Sequence, residues 1–234
     1  MNRFFYILGE LIEPFRLLLK YRGEPFEDRV YVQGDPPECS RREFTEVRDK
    51  LGLAFPGLPY LFDGDIKMTQ SKSMLCYLGY KFDMMGSNMF DTSLILMLVD
   101  QAKDLRSELS RICYYPAEGD FETEKRTFID VYLPGQLRQW ERFLIERNHN
   151  GQWLLSGDEP TVADFVLFEY ADQCLVLAPS ALREFPSLTR YAQLFRQIPA
   201  LAVYLKEEHH RRPINGKMAR FGSTVVDYLT DMND

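Results

Sequence analysis

Gln70 and Ser71 stand at the head of an apolar helical pattern, and that placement could seat an anion. A helix N-terminus carries unpaired amides and the positive end of the backbone dipole, so a carboxylate suits it; as a folding feature alone, Ser71 is a cap. Pro59 opens a short apolar run. A proline at a strand start bends the edge outward and frees backbone groups for an extended peptide, although a plain turn also uses proline. Arg41 and Arg42 place two cations in a polar loop, as a site or as a solvated surface pair. Cys39, Cys76, Cys113 and Cys174 lie far apart with no CxxC pair, which writes neither a zinc site nor a disulfide framework. His149 falls in a polar turn, and His209 and His210 sit near a helix end where the last carbonyls favour cations. No Ser-His-Asp set or carboxylate pair can be placed, and no metal site is expected.

The frame around these residues is an ordinary one. A chain of 234 residues exceeds the usual single domain but is short for two large ones, so a small domain joined to a larger one is expected. With 45% apolar, 14% aromatic and 27% charged residues the composition is globular. A formal charge of −7 argues against a nucleic-acid partner, because phosphate binding relies on clustered Lys and Arg. The stretch Phe4 to Leu8 is too short for a signal peptide, and no apolar run approaches the roughly 18 residues that span a bilayer. A reduced, cytoplasmic protein without a membrane partner is the expectation.

Periodicity supplies the elements. Phe4 to Leu8 reads as a buried strand, and Pro14 suits the first turn of a helix running through Phe15 to Tyr21 and stopping at Gly23. A second strand spans Phe26 to Val32, a loop follows at Gly34, Pro36 and Pro37, and a helix is predicted from Arg42 to Leu51. Leu58 to Phe62 and Ile66 to Met68 flank Asp63-Gly64, a strong hairpin signal. Gln70 to Phe82 carries Met74, Leu75, Leu78 and Phe82 at helical spacing. This βαβ, α, ββ, α order is thioredoxin-like. Helices alone are expected afterwards, at about 90–114, 122–148, 161–177, 187–197 and 199–210, with a capping box from Thr161 to Asp164. The fold class is therefore α+β: a thioredoxin-like domain over 1–84, a linker over 85–90 and an all-helical domain over 91–234.

Phe55-Pro56-Gly57-Leu58-Pro59-Tyr60-Leu61 with Asp63-Gly64, Lys67-Met68-Thr69-Gln70-Ser71 and Leu75-Cys76-Tyr77-Leu78 strongly resembles the mu class of cytosolic glutathione transferases. Gly34-Asp35-Pro36-Pro37, Lys50-Leu51-Gly52-Leu53, Cys113-Tyr114-Tyr115-Pro116 and Lys217-Met218-Ala219 extend the resemblance over nearly the whole chain. It implies a homodimeric enzyme that conjugates reduced glutathione, its co-substrate, to small hydrophobic electrophiles without any other cofactor. Pro59 would be cis, with the Leu58 backbone pairing with the cysteinyl part of the tripeptide. Gln70 and Ser71 would take the γ-glutamyl carboxylate. Arg41, Phe44 and Arg48 would hold the glycyl carboxylate and cover the peptide, although the family usually has Trp at Phe44 and Lys at Arg48, which exchanges a point charge for a planar fork. Leu11 would add a further contact. Asp104 would reach the glutathione of the neighbouring subunit, Tyr114 would line the electrophile site, and Phe55 would insert into the partner as a hydrophobic key.

The catalytic position departs from the family. Mu-type enzymes carry Tyr-Trp at the end of the first strand, where this chain has Phe5-Tyr6, and Leu8-Gly9-Glu10-Leu11 replaces the usual Arg-Gly turn. An ungapped alignment from Arg16 to Tyr21 puts Phe5 at the tyrosine position; one deletion in the turn restores Tyr6, which is the catalytic residue expected. A phenol that lowers a thiol pKa of about 8.5 by about two units contributes roughly 2.7 kcal/mol to the thiolate. With Phe5 in that place the chain would be a weakly catalytic protein binding glutathione or hydrophobic ligands, and a purely structural role would leave glutathione unbound.

Overall fold

A computed structural model of the chain describes residues 4–6, 11–115, 120–149, 151–155, 157–207 and 213–223, with residues 4–6 and 207 described in their backbone alone. Strand β1 (Phe4–Tyr6) leads through helix α1 (Glu13–Tyr21) to a parallel strand β2 (Glu27–Arg29), with Phe4 opposite Glu27 and Tyr6 opposite Arg29. Pro14 lies in the first turn of α1, and Gly23 closes the helix at φ 63°, a left-handed angle that costs glycine nothing. Because α1 is buried from Glu13 through Leu19, its charges need partners. Arg16 donates to Glu13 and to Asp28, each at 2.7 Å, and the Tyr204 hydroxyl donates to Glu13 from the helix Pro199–Glu207.

The strand expected over 26–32 ends at Arg29, and Tyr31 turns instead into a small second core with Phe44, Leu53 and Tyr60. The helix expected over 42–51 also breaks. Helix α2 covers Arg42–Thr45, and a 3-10 turn follows at Arg48–Lys50. The Thr45 hydroxyl donates to the Arg42 carbonyl at 3.0 Å, while Val47 and Lys50 bond three residues back, a tighter winding that aligns Phe44 and Val47 over the small core.

Strands β3 (Tyr60–Asp63) and β4 (Ile66–Thr69) form the expected antiparallel hairpin, closed by Gly64-Asp65, with Gly64 at φ 63°. Strand β1 lies alongside β3. Helix α3 (Ser71–Lys81) is clipped to the hairpin by Asp63, which accepts from Tyr77 at 2.8 Å and from Lys81.

Helix α4 (Met89–Tyr114) begins the helical part, its first turn capped by Asn88. The predicted 122–148 helix is continuous from α5 (Phe121–Thr127) to α6 (Leu133–Arg142), but wider π turns occupy Phe128–Tyr132 and Phe143–Arg147. Pro134 accounts for the first of these. Its ring and missing N–H are incompatible with a bond to Asp130, and the ladder shifts by one residue to pair Leu133 with Phe128. Helix α7 (Val162–Leu177) is buried along nearly its whole length, packs against α4, and also meets α1 and α3. It has no solvent stripe, and Asp164, Glu169, Asp172 and Gln173 are buried among its apolar residues. Helices α8 (Pro186–Arg196) and α9 (Pro199–Glu207) follow, and segment 213–223 comes after them among the described residues. Among the described residues no helix is long and apolar enough to cross a membrane.

Candidate functional site

The start of α3 has the geometry an anion seat needs. Gln70 holds φ 71° and ψ 105°, a sparsely populated backbone state for a residue with a side chain, and it makes no side-chain cap. Its carbonyl accepts from Met74 at 3.0 Å, so the helix is anchored while the amides from Ser71 onward keep their orphan position. Met74 and Leu75, buried beneath, hold this end in place. Lys72 pairs with Asp100 of α4, and Asp104 follows one turn along the same helix, exposed at its side chain while its carbonyl accepts from Tyr132 at 3.0 Å.

The Leu58-Pro59 bond is cis. Pro59 is buried, Leu58 half-buried, and β3 begins immediately afterwards. Across the small core from this edge lies α2 with its cations. Arg41 is exposed and has no side-chain partner among the described residues; exposed Arg48 has only a 3.5 Å contact to neighbouring Asp49, too weak to hold it from a carboxylate. Phe44, expected to cover the ligand, is 8% exposed and meets the Tyr31 ring edge-on at 5.4 Å. Its ring supports the loop from below.

Tyr6 ends β1 with its backbone opposite Arg29, while its side chain, like that of Phe5, lies outside the described part. Leu11 is half-buried against the main core. Phe55 is 75% exposed on the loop before Leu58. Tyr114 is half-buried at the end of α4, and its hydroxyl accepts from the Gly216 amide at 2.5 Å, which leaves its own proton free to donate.

That last contact belongs to a tertiary feature built by segment 213–223. Segment 213–223 is strapped across the molecule by Arg106 of α4, 1% exposed, whose guanidinium donates to the Ile214 carbonyl at 3.0 Å and to Asn215 at 2.7 Å. Further on, Lys217 donates its amide to Gln33 at 2.9 Å and its ammonium to Asp35 at 2.6 Å, joining the strap to the loop before α2. The visible signal for Arg106 is a cation at a position whose neighbours Ala102, Leu105 and Leu109 are core residues.

Cys174 and Cys76 are poorly suited to act as nucleophiles. All four cysteines are free; burial pushes the Cys174 thiol up to about 12 and also raises Cys76, whereas a reactive cysteine needs its pKa lowered. Among the described residues no group of His, Cys, Asp and Glu could hold a metal ion.

Residues 103–208 match the family model described as glutathione S-transferase, C-terminal domain. Among curated proteins, glutathione S-transferase Mu 4 of Mus musculus is 34% identical over 214 residues, covering 91% of this chain and 94% of its own. Glutathione S-transferase Mu 3 of Homo sapiens is 34% identical over 217 residues, 92% of each chain. Among solved structures, the Pi-class glutathione S-transferase of Onchocerca volvulus superposes with a TM-score of 0.80 at 29% identity, over 94% of this chain and all of its own. The glutathione S-transferase Blo t 8 gives 0.82 at 31% identity, over 95% of this chain and all of its own.

Proposed function

The chain belongs to the glutathione S-transferase family, with mu-class members among its relatives, and on that premise we propose that it joins the glutathione sulfur to small hydrophobic electrophiles. The thiol gives up its proton, the sulfur lone pair forms the new bond to carbon, and the leaving group departs with its electron pair or, in a ring opening, the released oxygen takes a proton. Tyr6 donates to the sulfur and stabilises the thiolate. The open, uncapped first turn of α3 behind Gln70 carries this reading, since it suits the γ-glutamyl carboxylate. The Leu58 backbone beside cis Pro59 takes the cysteinyl part, with Leu11 adding a contact. Arg41 and Arg48 take the glycyl carboxylate over a floor that includes Phe44. Residues 1–84 thus hold the peptide, residues 91–234 hold the electrophile beside Tyr114, and no further cofactor is used. The setting is the cytoplasm.

Replacing Gln70 and Ser71 together by Ala should remove most glutathione binding, since hydrogen bonds to a charged group contribute about 1.5–3 kcal/mol each. Calorimetry that finds the double variant binding as tightly as wild type refutes the assignment.

The active form is a homodimer in which Asp104 of each chain reaches the glutathione held by its partner. Phe55, three-quarters exposed, is the aromatic anchor that a two-fold interface uses twice. Phe55→Ala should therefore shift the protein toward monomer in sedimentation velocity. A wild type that is already monomeric at micromolar concentration ends both this role and that of Asp104.

A further inference from the structure

The small core of Tyr31, Phe44, Leu53 and Tyr60 is separate from the main one and lies between the two walls of the proposed peptide site. Tyr31 touches both. Its ring meets Phe44 of α2 at 5.4 Å and 67°, and its hydroxyl pairs with that of Tyr60 at 2.6 Å. The next residue adds a second tie to α2, the Val32 amide donating to Glu43 at 2.7 Å. Tyr60 in turn follows Pro59 directly and is fully buried, so the hydroxyl pair acts on the strand whose preceding residue, Leu58, offers its backbone.

Phenylalanines could fill such a core. A buried hydroxyl pair adds what apolar packing lacks, a fixed direction and distance between two segments that share no backbone ladder. The segments joined here carry different ends of one ligand: α2 and the turn after it bear Arg41 and Arg48, and the Leu58 edge takes the peptide's middle. We infer that Tyr31 is a positioning residue that sets the distance between these cations and that edge, so that one tripeptide meets both. The inference rests on the glutathione reading above.

A peptide lacking the glycyl residue tests it, because γ-glutamylcysteine uses the Leu58 edge and the α3 terminus while its C-terminal carboxylate stops one residue short of the place the glycyl carboxylate takes beside the α2 cations. Tyr31→Phe keeps the ring and removes the hydroxyl. It should weaken glutathione binding in calorimetry about fivefold, the worth of one neutral hydrogen bond, and leave γ-glutamylcysteine binding unchanged. In kinetics the KM for glutathione should rise with kcat unaltered. Tyr60→Phe, which cuts the pair from the other side, should reproduce the selectivity. Equal losses for the two peptides would mean general loosening and overturn the inference, as would unchanged glutathione binding in Tyr31→Phe. Wild-type protein that binds neither peptide would instead sink the glutathione reading itself and this inference with it.

Discussion

Tyr6→Phe should cut the conjugation rate at neutral pH roughly ten- to a hundredfold while leaving glutathione affinity nearly intact. The hydroxyl addresses a single atom of a ligand held mainly by its carboxylates and backbone. Chemistry alone should suffer. The apparent pKa of the bound thiol, read from thiolate absorbance against pH, should rise by about one to two units, each unit being worth about 1.4 kcal/mol. Alternation along an extended strand is a sequence expectation that gives positions 5 and 6 separate roles. Phe5→Tyr should accordingly change little. If Phe5 occupies the tyrosine position, the wild type will show an unlowered thiol pKa, Tyr6→Phe will alter neither rate nor pKa, and Phe5→Tyr will create activity.

Asp164→Ala should destabilise the protein by about 3–5 kcal/mol, because it removes a fully buried acceptor and orphans its donors. The carboxylate accepts from the Leu154 and Thr161 amides, each at 2.8 Å, from the Thr161 hydroxyl at 2.9 Å and from Tyr191 at 3.2 Å. One side chain thus ties the head of α7 to the preceding loop and to α8. For a chain of this size, thermal unfolding should come roughly 10 °C earlier. Burial pushes the Asp164 carboxyl up to about 6 against the pull of these donors, above its unfolded value of about 3.9. The hydroxyls of Thr161 and Tyr191 can turn from donors to acceptors and so tolerate the neutral form. A raised folded pKa means that this group's contribution is fully present below about pH 4 and is lost as the pH rises through about 6. The gap in melting temperature between wild type and Asp164→Ala should therefore be wider at pH 5 than at pH 8. A gap that narrows on acidification would show instead that the four donors outweigh burial.

Much of this molecule is written in neighbouring residues. The β3–β4 hairpin follows from Asp63-Gly64 between apolar runs, α1 from Pro14 and Gly23, and the head of α7 from Thr161 and Asp164, because turn angles and cap geometry depend on residues within reach of one another. The start of α3 at Gln70-Ser71 follows for the same reason. Residues 42–51 depart from the single helix expected because their winding answers to the small core, where Phe44 and Val47 must face Tyr31 and Tyr60. Pairings between distant parts left no local trace. The Tyr31 and Tyr60 hydroxyls meet across 29 positions and Arg106 reaches Asn215 across 109, and a lone Tyr or Arg reads as a surface residue until the fold supplies its partner. Which segments turn, cap or pack follows from residues close in the chain. Which buried polar groups satisfy one another depends on the fold, since a hydrogen bond needs donor and acceptor within about 3 Å and only the folded chain sets that distance.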